Sequence, residues 1–124
     1  FDFPVILGIE STFEADGLSR NKERIILYRH LLDSLDGGGA QFSQDLSEVH
    51  LEDLGNVSVI LDGDTVLVHL GNNNFQEKFR RYLASSGELK RKYKNLDSVD
   101  LRYKNQMVIR TLKGKFTKKE VDNS

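Results

Sequence analysis

Leu96 to Arg110 reads LDSVDLRYKNQMVIR, and this stretch decides the fold. Val99, Leu101 and Tyr103 alternate with Ser98, Asp100 and Arg102. A period of two sends alternate side chains to opposite faces of a strand, one buried and one wet. Lys104, Asn105 and Gln106 supply a short polar turn, and Met107 to Thr111 read as a return strand. Together they predict a hairpin with a loop slightly longer than two residues. Only the Lys-rich residues 112–124 follow, and their composition is that of a flexible charged tail. The expected domain is therefore residues 1–111, closed by the hairpin. A terminal hairpin can sit at a sheet edge, where unpaired backbone groups accept a strand from another chain.

Working back from the hairpin, Phe75, Phe79, Tyr82 and Leu83 form a helical stripe. It continues through Leu89 and Tyr93, with an interruption expected near Ser85-Ser86-Gly87. Asn74 followed by Glu77 resembles a capping box. Before this helix, Leu46 to Glu52 alternates. Val57, Val59 and Leu61 form a second strand, Asp62-Gly63 a tight turn, and Val66, Val68 and Leu70 the return. Further upstream, Ile25, Tyr28, Leu31, Leu32 and Leu35 recur at helical spacing. Ser19 can cap that helix and Asp36-Gly37-Gly38-Gly39 stops it. The chain opens with the apolar run Phe3 to Ile9, in which Pro4 requires a strand start or an edge, and a loop follows over Ser11 to Gly17. Two helices with single apolar stripes need a sheet to cover. The expected fold is α+β, a two-layer domain with a mostly antiparallel or mixed sheet and two main helices, ending in a β-hairpin.

The chain has 124 residues, no cysteine and a net charge of −1. That size suits one domain able to bury a core without disulfides. Disulfides and thiolate metal sites are excluded. Near-neutral charge argues against bulk nucleic-acid binding. The charge is uneven: residues 1–76 hold 4 basic and 13 acidic side chains, residues 77–124 hold 14 and 6. If the halves interleave, these charges pair; if they separate, the basic half is a docking surface for an acidic segment. No run approaches the ~20 apolar residues of a membrane span. The start at Phe1 reads as a cut within a longer protein.

Motifs for catalysis are missing. His30, His50 and His69 lack metal-ligand spacing. Gly37-Gly38-Gly39 is followed by Ala40-Gln41-Phe42, not by the Lys-Ser/Thr of a phosphate-binding loop. Asp62 and Asp64 are the residues a turn needs. No nucleophile elbow is visible. The expectation is a non-enzymatic domain without a cofactor or metal.

Asp100-Leu101-Arg102-Tyr103 resembles the DLRY signature near the C-terminus of the bacterial FtsQ/DivIB cell-division family. Other matches occur in family order: Phe3-Pro4-Val5-Ile6 with Gly8 at the start, Leu61-Asp62-Gly63 and Leu70-Gly71 around the central hairpin, then the basic helix Phe75 to Lys94. They cover about nine-tenths of the chain and correspond to the family's C-terminal β domain, without its POTRA domain and membrane helix. Asn105 and Gln106 stand where the enterobacterial pattern has Ser-Gly, and Thr111 roughly where it has tryptophan. The resemblance implies a divisome scaffold, anchored in the inner membrane by one N-terminal helix, with this domain periplasmic. It implies FtsB and, through it, FtsL as partners, and a part in controlling septal peptidoglycan synthesis by FtsW and FtsI. The partner's C-terminal segment would add a strand to the domain's last strand. Arg102, Tyr103, Asn105, Gln106, Met107, Val108 and Ile109 are then the partner-binding residues. Arg102 would pair with an acidic partner residue. Tyr103 would be an aromatic anchor, unless it is an ordinary core tyrosine. A small α+β ligand-binding or enzymatic domain with a dispersed site, and an RNA-binding domain, are the alternatives.

Overall fold

The structure is a computed structural model that describes residues 4–10, 14–52 and 55–119. Phe3 of the first apolar run, residues 11–13 of the expected loop and residues 120–124 of the expected tail lie outside the described residues. The elements are β1 (Val5–Leu7), α1 (Ala15–Leu35), β2 (Leu46–Leu51), β3 (Val57–Leu61), β4 (Leu67–Gly71), α2 (Phe75–Lys92), β5 (Leu96–Asp100), β6 (Gln106–Thr111) and β7 (Gly114–Lys119). Two short 3₁₀ turns, Gly37–Gly39 and Phe42–Asp45, join α1 to β2.

All seven strands lie in one sheet in sequence order. β1 with β2 and β4 with β5 run parallel; every other neighbouring pair is antiparallel. The helices are the two parallel crossovers. Both crossovers step the same way along the sheet between strands of the same direction. Right-handed connections therefore put both helices on one face. That is the α+β two-layer domain expected from the pattern, with a mixed sheet and a closing hairpin.

Alternation along each strand becomes a continuous row across them. Ile6, Val49, Val59, Val68, Val99, Ile109 and Phe116 are register partners in turn. The five central members are fully buried under the helices. Leu31 and Leu35 of α1 and Phe75, Phe79, Tyr82 and Leu89 of α2 complete this core. The opposite row is Leu7, His50, Ser58, His69, Asp100, Val108 and Thr117. No described helix covers that face.

The expected break in α2 at Ser85-Ser86-Gly87 does not occur; the helix is continuous. One internal glycine costs about 1 kcal/mol relative to alanine. Burying each of Phe79, Tyr82 and Leu89 contributes about 1.5–3 kcal/mol, so packing outweighs propensity. The expected capping box also fails. Asn74 has φ 49°, left-handed, and its side chain makes no cap bond; a capping side chain needs extended backbone geometry. α1 begins at Ala15, four residues before the expected cap at Ser19.

The main correction concerns the C-terminus. Residues 114–119, read as tail, form β7 and pair along β6 from Thr111↔Gly114 to Gln106↔Lys119. β6 therefore lies between β5 and β7 and does not offer a free backbone edge.

Candidate docking edge at the C-terminal end of the sheet

The tetrapeptide after β5 begins its own local circuit. Asp100 Oδ1 accepts from the Arg102 backbone N–H at 3.0 Å and from Arg102 Nε at 2.9 Å; Oδ2 accepts from Arg102 Nη2 at 2.6 Å. The aspartate thus turns the chain out of the strand and holds the arginine that follows. Leu101 donates its N–H to the His69 carbonyl at 3.0 Å and is fully buried. Burial by itself would raise the Asp100 pKa, but the bonds from Arg102 and its charge prevail and lower it. The same pairing raises that of Arg102.

Two neighbours brace this circuit, Gly71 at the end of β4 and Lys78 on α2. Gly71 has φ +74°, and a Cβ there would lie 3.3 Å from Arg102 Cγ and 3.4 Å from Lys78 Nζ. Glycine supplies both the left-handed turn and the room. Lys78 is buried with its ammonium on three oxygens: the Leu70 carbonyl at 2.6 Å, the Asn73 carbonyl at 2.9 Å and Asn73 Oδ1 at 3.2 Å. Burial lowers its pKa.

The expected partner residues separate into three groups. Arg102 is exposed, with its guanidinium held on Asp100. Tyr103 is 45% exposed, so it is not a core tyrosine, and Asn105 is exposed at φ +61°, a geometry asparagine tolerates in a tight loop. Met107, Val108 and Ile109 are buried and all three pair with β7, Val108 and Ile109 also with β5, so the expectation that they form an open edge is overturned. Gln106 stands between these groups: it is half-buried, opens β6 opposite Lys119, and its carbonyl accepts from Arg81 Nη2 at 3.5 Å.

The free edge at this end belongs to β7. Among the described residues no strand pairs with its outer side. Its side chains are largely exposed; Phe116 leans on the Tyr93 ring, centroids 5.3 Å apart, and Lys118 reaches Glu88 at 3.9 Å. Lys115 faces Arg110 across the ladder. Sequence reasoning missed this strand because its lysines read as solvated tail. Exposed lysines also mark protected sheet edges, and Phe116 amid polar neighbours was the available signal.

Sequential strand order also answers the charge question. β1 to β4 come from the acidic half of the chain and β5 to β7 from the basic half, but among these strands only the last two carry a clear excess, with Arg110 in β6 and Lys115, Lys118 and Lys119 in β7; Glu48 is the single carboxylate of β1 to β4. A described link across the divide joins Asp64 to α2, where it accepts from Tyr82 Oη at 2.6 Å and meets Lys90 Nζ at 3.0 Å.

The three histidines are dispersed. His30 meets the edge of the Phe75 ring, His50 sits 3.3 Å from Glu48 and His69 bonds Ser58. A cleft of about 400 Å³ lies beside α1, and two arginines in its lining, Arg20 and Arg24, are turned onto Glu10.

The profile of the family described as cell division protein FtsQ/DivIB, C-terminal, matches residues 2–102. The chain belongs to the FtsQ/DivIB family. A cell division protein FtsQ of Koribacter versatilis is 40% identical over 111 residues, covering 88% of this chain and 31% of the relative. One from a Geobacter species is 28% identical over 109 residues, covering 88% and 40%. The chain thus spans 31% to 40% of the length of these curated FtsQ relatives. The FtsQ/DivIB match ends at Arg102, so β6 and β7 lie beyond the matched stretch. No described helix is long and apolar enough to cross a membrane.

Proposed function

We propose that this domain is a non-enzymatic divisome scaffold that binds FtsB, and through it FtsL, by strand addition at the C-terminal end of its sheet. The observation that carries this reading is the unpaired outer edge of β7, next to an exposed aromatic loop. A free edge supplies N–H and C=O groups that bind a backbone with little sequence demand. Selectivity then falls to side chains around it. Tyr103 is the aromatic anchor and Asn105 a polar rim contact. Lys115, Lys119 and Arg110 favour an acidic segment. Arg102 acts first by shaping the loop through Asp100. In the whole protein the domain would sit outside the cytoplasmic membrane, tethered by one N-terminal helix, where the complex with FtsB and FtsL restrains or releases septal wall synthesis.

The test is a proline in the edge strand. Thr117→Pro removes a β7 N–H and should weaken binding of purified FtsB–FtsL at least ~10-fold, about 1.4 kcal/mol. Circular dichroism and the thermal midpoint establish that the variant is folded. A folded Thr117→Pro domain that binds like the parent would exclude docking at β7.

A further inference from the structure

Glu52, Ser58, His69, Asp100 and Arg102 form a polar chain across the face of the sheet that no described helix covers. The Ser58 hydroxyl, fully buried, lies 2.5 Å from Glu52 Oε1 and 2.7 Å from His69 Nδ1. It has one hydrogen and cannot donate to both. An ionised Glu52 can only accept, so Ser58 donates to Glu52 and accepts from Nδ1–H of His69. That fixes the tautomer and leaves the lone pair, the site of protonation, on Nε2. On the other flank, strand register sets His69 beside Asp100 on the same face. The Asp100 side chain is 6% exposed and already held by Arg102, which is 35% exposed. Two cations can thus claim one buried carboxylate.

The groups that bear on His69 come from every neighbouring element. Glu52 closes the β2 side, where His50 is in register with Ser58. Asp100 faces it from β5, Arg102 from the loop after β5, and Arg110 from β6. Lys78 of α2 acts on Asp100 and Arg102 from the helical side. Burial, aided by the two arginines, outweighs the carboxylates and keeps the imidazole neutral at neutral pH.

We propose that protonation of His69 draws the Asp100 carboxylate away from Arg102 and frees the guanidinium, making a proton-sensitive latch at the base of the Tyr103 loop. The new imidazolium is the less exposed of the two cations, and Glu52, 3.7 Å from Nδ1, meets only one side of the ring, so leaving Nε2–H without an acceptor costs more than turning Arg102 into water. The latch is local to this domain. Its effect on docking, a released arginine for an acidic segment, rests on the function proposed above.

The test is side-chain NMR of the labelled domain from about pH 7.5 to about pH 5, across the histidine range. The expected result is that the Arg102 Nε–H signal shifts and begins to exchange with water at the His69 midpoint. In His69→Gln it should stay constant over the same range. An Arg102 signal that is unmoved while His69 titrates overturns the latch, as does one that moves equally in His69→Gln, or a His69 that never titrates. Should His69→Gln not fold, Ser58→Ala serves: it shifts the His69 midpoint, and Arg102 must follow by the same amount. No partner enters these measurements, so the latch and the docking edge stand or fall separately.

Discussion

At the scale of single residues, the tetrapeptide Asp100 to Tyr103 divides its work. Asp100 and Arg102 satisfy each other, Leu101 enters the core, and Tyr103 is presented to solvent. Asp100→Asn leaves a guanidinium without its counter-charge and should cost about 1.5–3 kcal/mol, read as a lower urea midpoint. Gly71→Ala forces a left-handed alanine against Arg102 and Lys78, at a cost of roughly 1–3 kcal/mol by the same assay. The pH dependence follows from His69. Its folded pKa lies below the ordinary 6.5, so the unfolded chain takes up the proton first as pH falls. Stability therefore declines from pH 6.5 down to the folded pKa and levels below it. His69→Gln should abolish that part of the decline in denaturant titrations. A second loss follows further down. Asp64 and Asp100 are held below 3.8, so their contribution is present above that pH and is lost as pH falls through their folded values.

At the scale of elements, β6 and β7 contrast. Ile109 is buried in the central row, whereas its neighbour Phe116 is 40% exposed and rests on Tyr93. Ile109→Ala should cost about 2–5 kcal/mol, and Phe116→Ala about 1 kcal/mol, in parallel thermal denaturation. The exposed strand is nevertheless needed. A chain ending at Thr111 would leave β6 open, with its apolar row beside an unpaired backbone. Light scattering should then rise with concentration more steeply than for the full chain. Lysines on β7 limit such self-pairing in the parent. α2 was legible because its aromatic stripe is long. Its continuity through Gly87 was not, because the sum of several buried side chains decides it rather than the local residue.

At the scale of the whole molecule, strand order gathers basic side chains at the C-terminal end of the sheet. Arg110 of β6 and Lys115, Lys118 and Lys119 of β7 bring four basic side chains there. Association with an acidic segment should therefore slow by about tenfold between low and high salt, with dissociation much less affected. An association rate independent of salt would remove charge steering from the proposal. The same sequential order places both crossovers on one face and leaves the other without a described helix. The Ser58–His69 chain is assembled on that second face.

The sequence by itself determined both helices, the strands up to β6, the alternation that buries Val59, Val68 and Val99, and the family to which the chain belongs. These are properties of short windows: a period of two or of 3.6, a turn dipeptide, a tetrapeptide in order with its neighbours. Tertiary structure alone decided that residues 114–119 are a strand, that Arg102 turns to Asp100, and that Glu52, Ser58 and His69 meet. A Lys-rich segment becomes a strand when a partner of matching register offers its hydrogen bonds, and β6 does so. Polar side chains on separate strands meet only when the sheet sets their register, and no local pattern in the chain encodes that alignment.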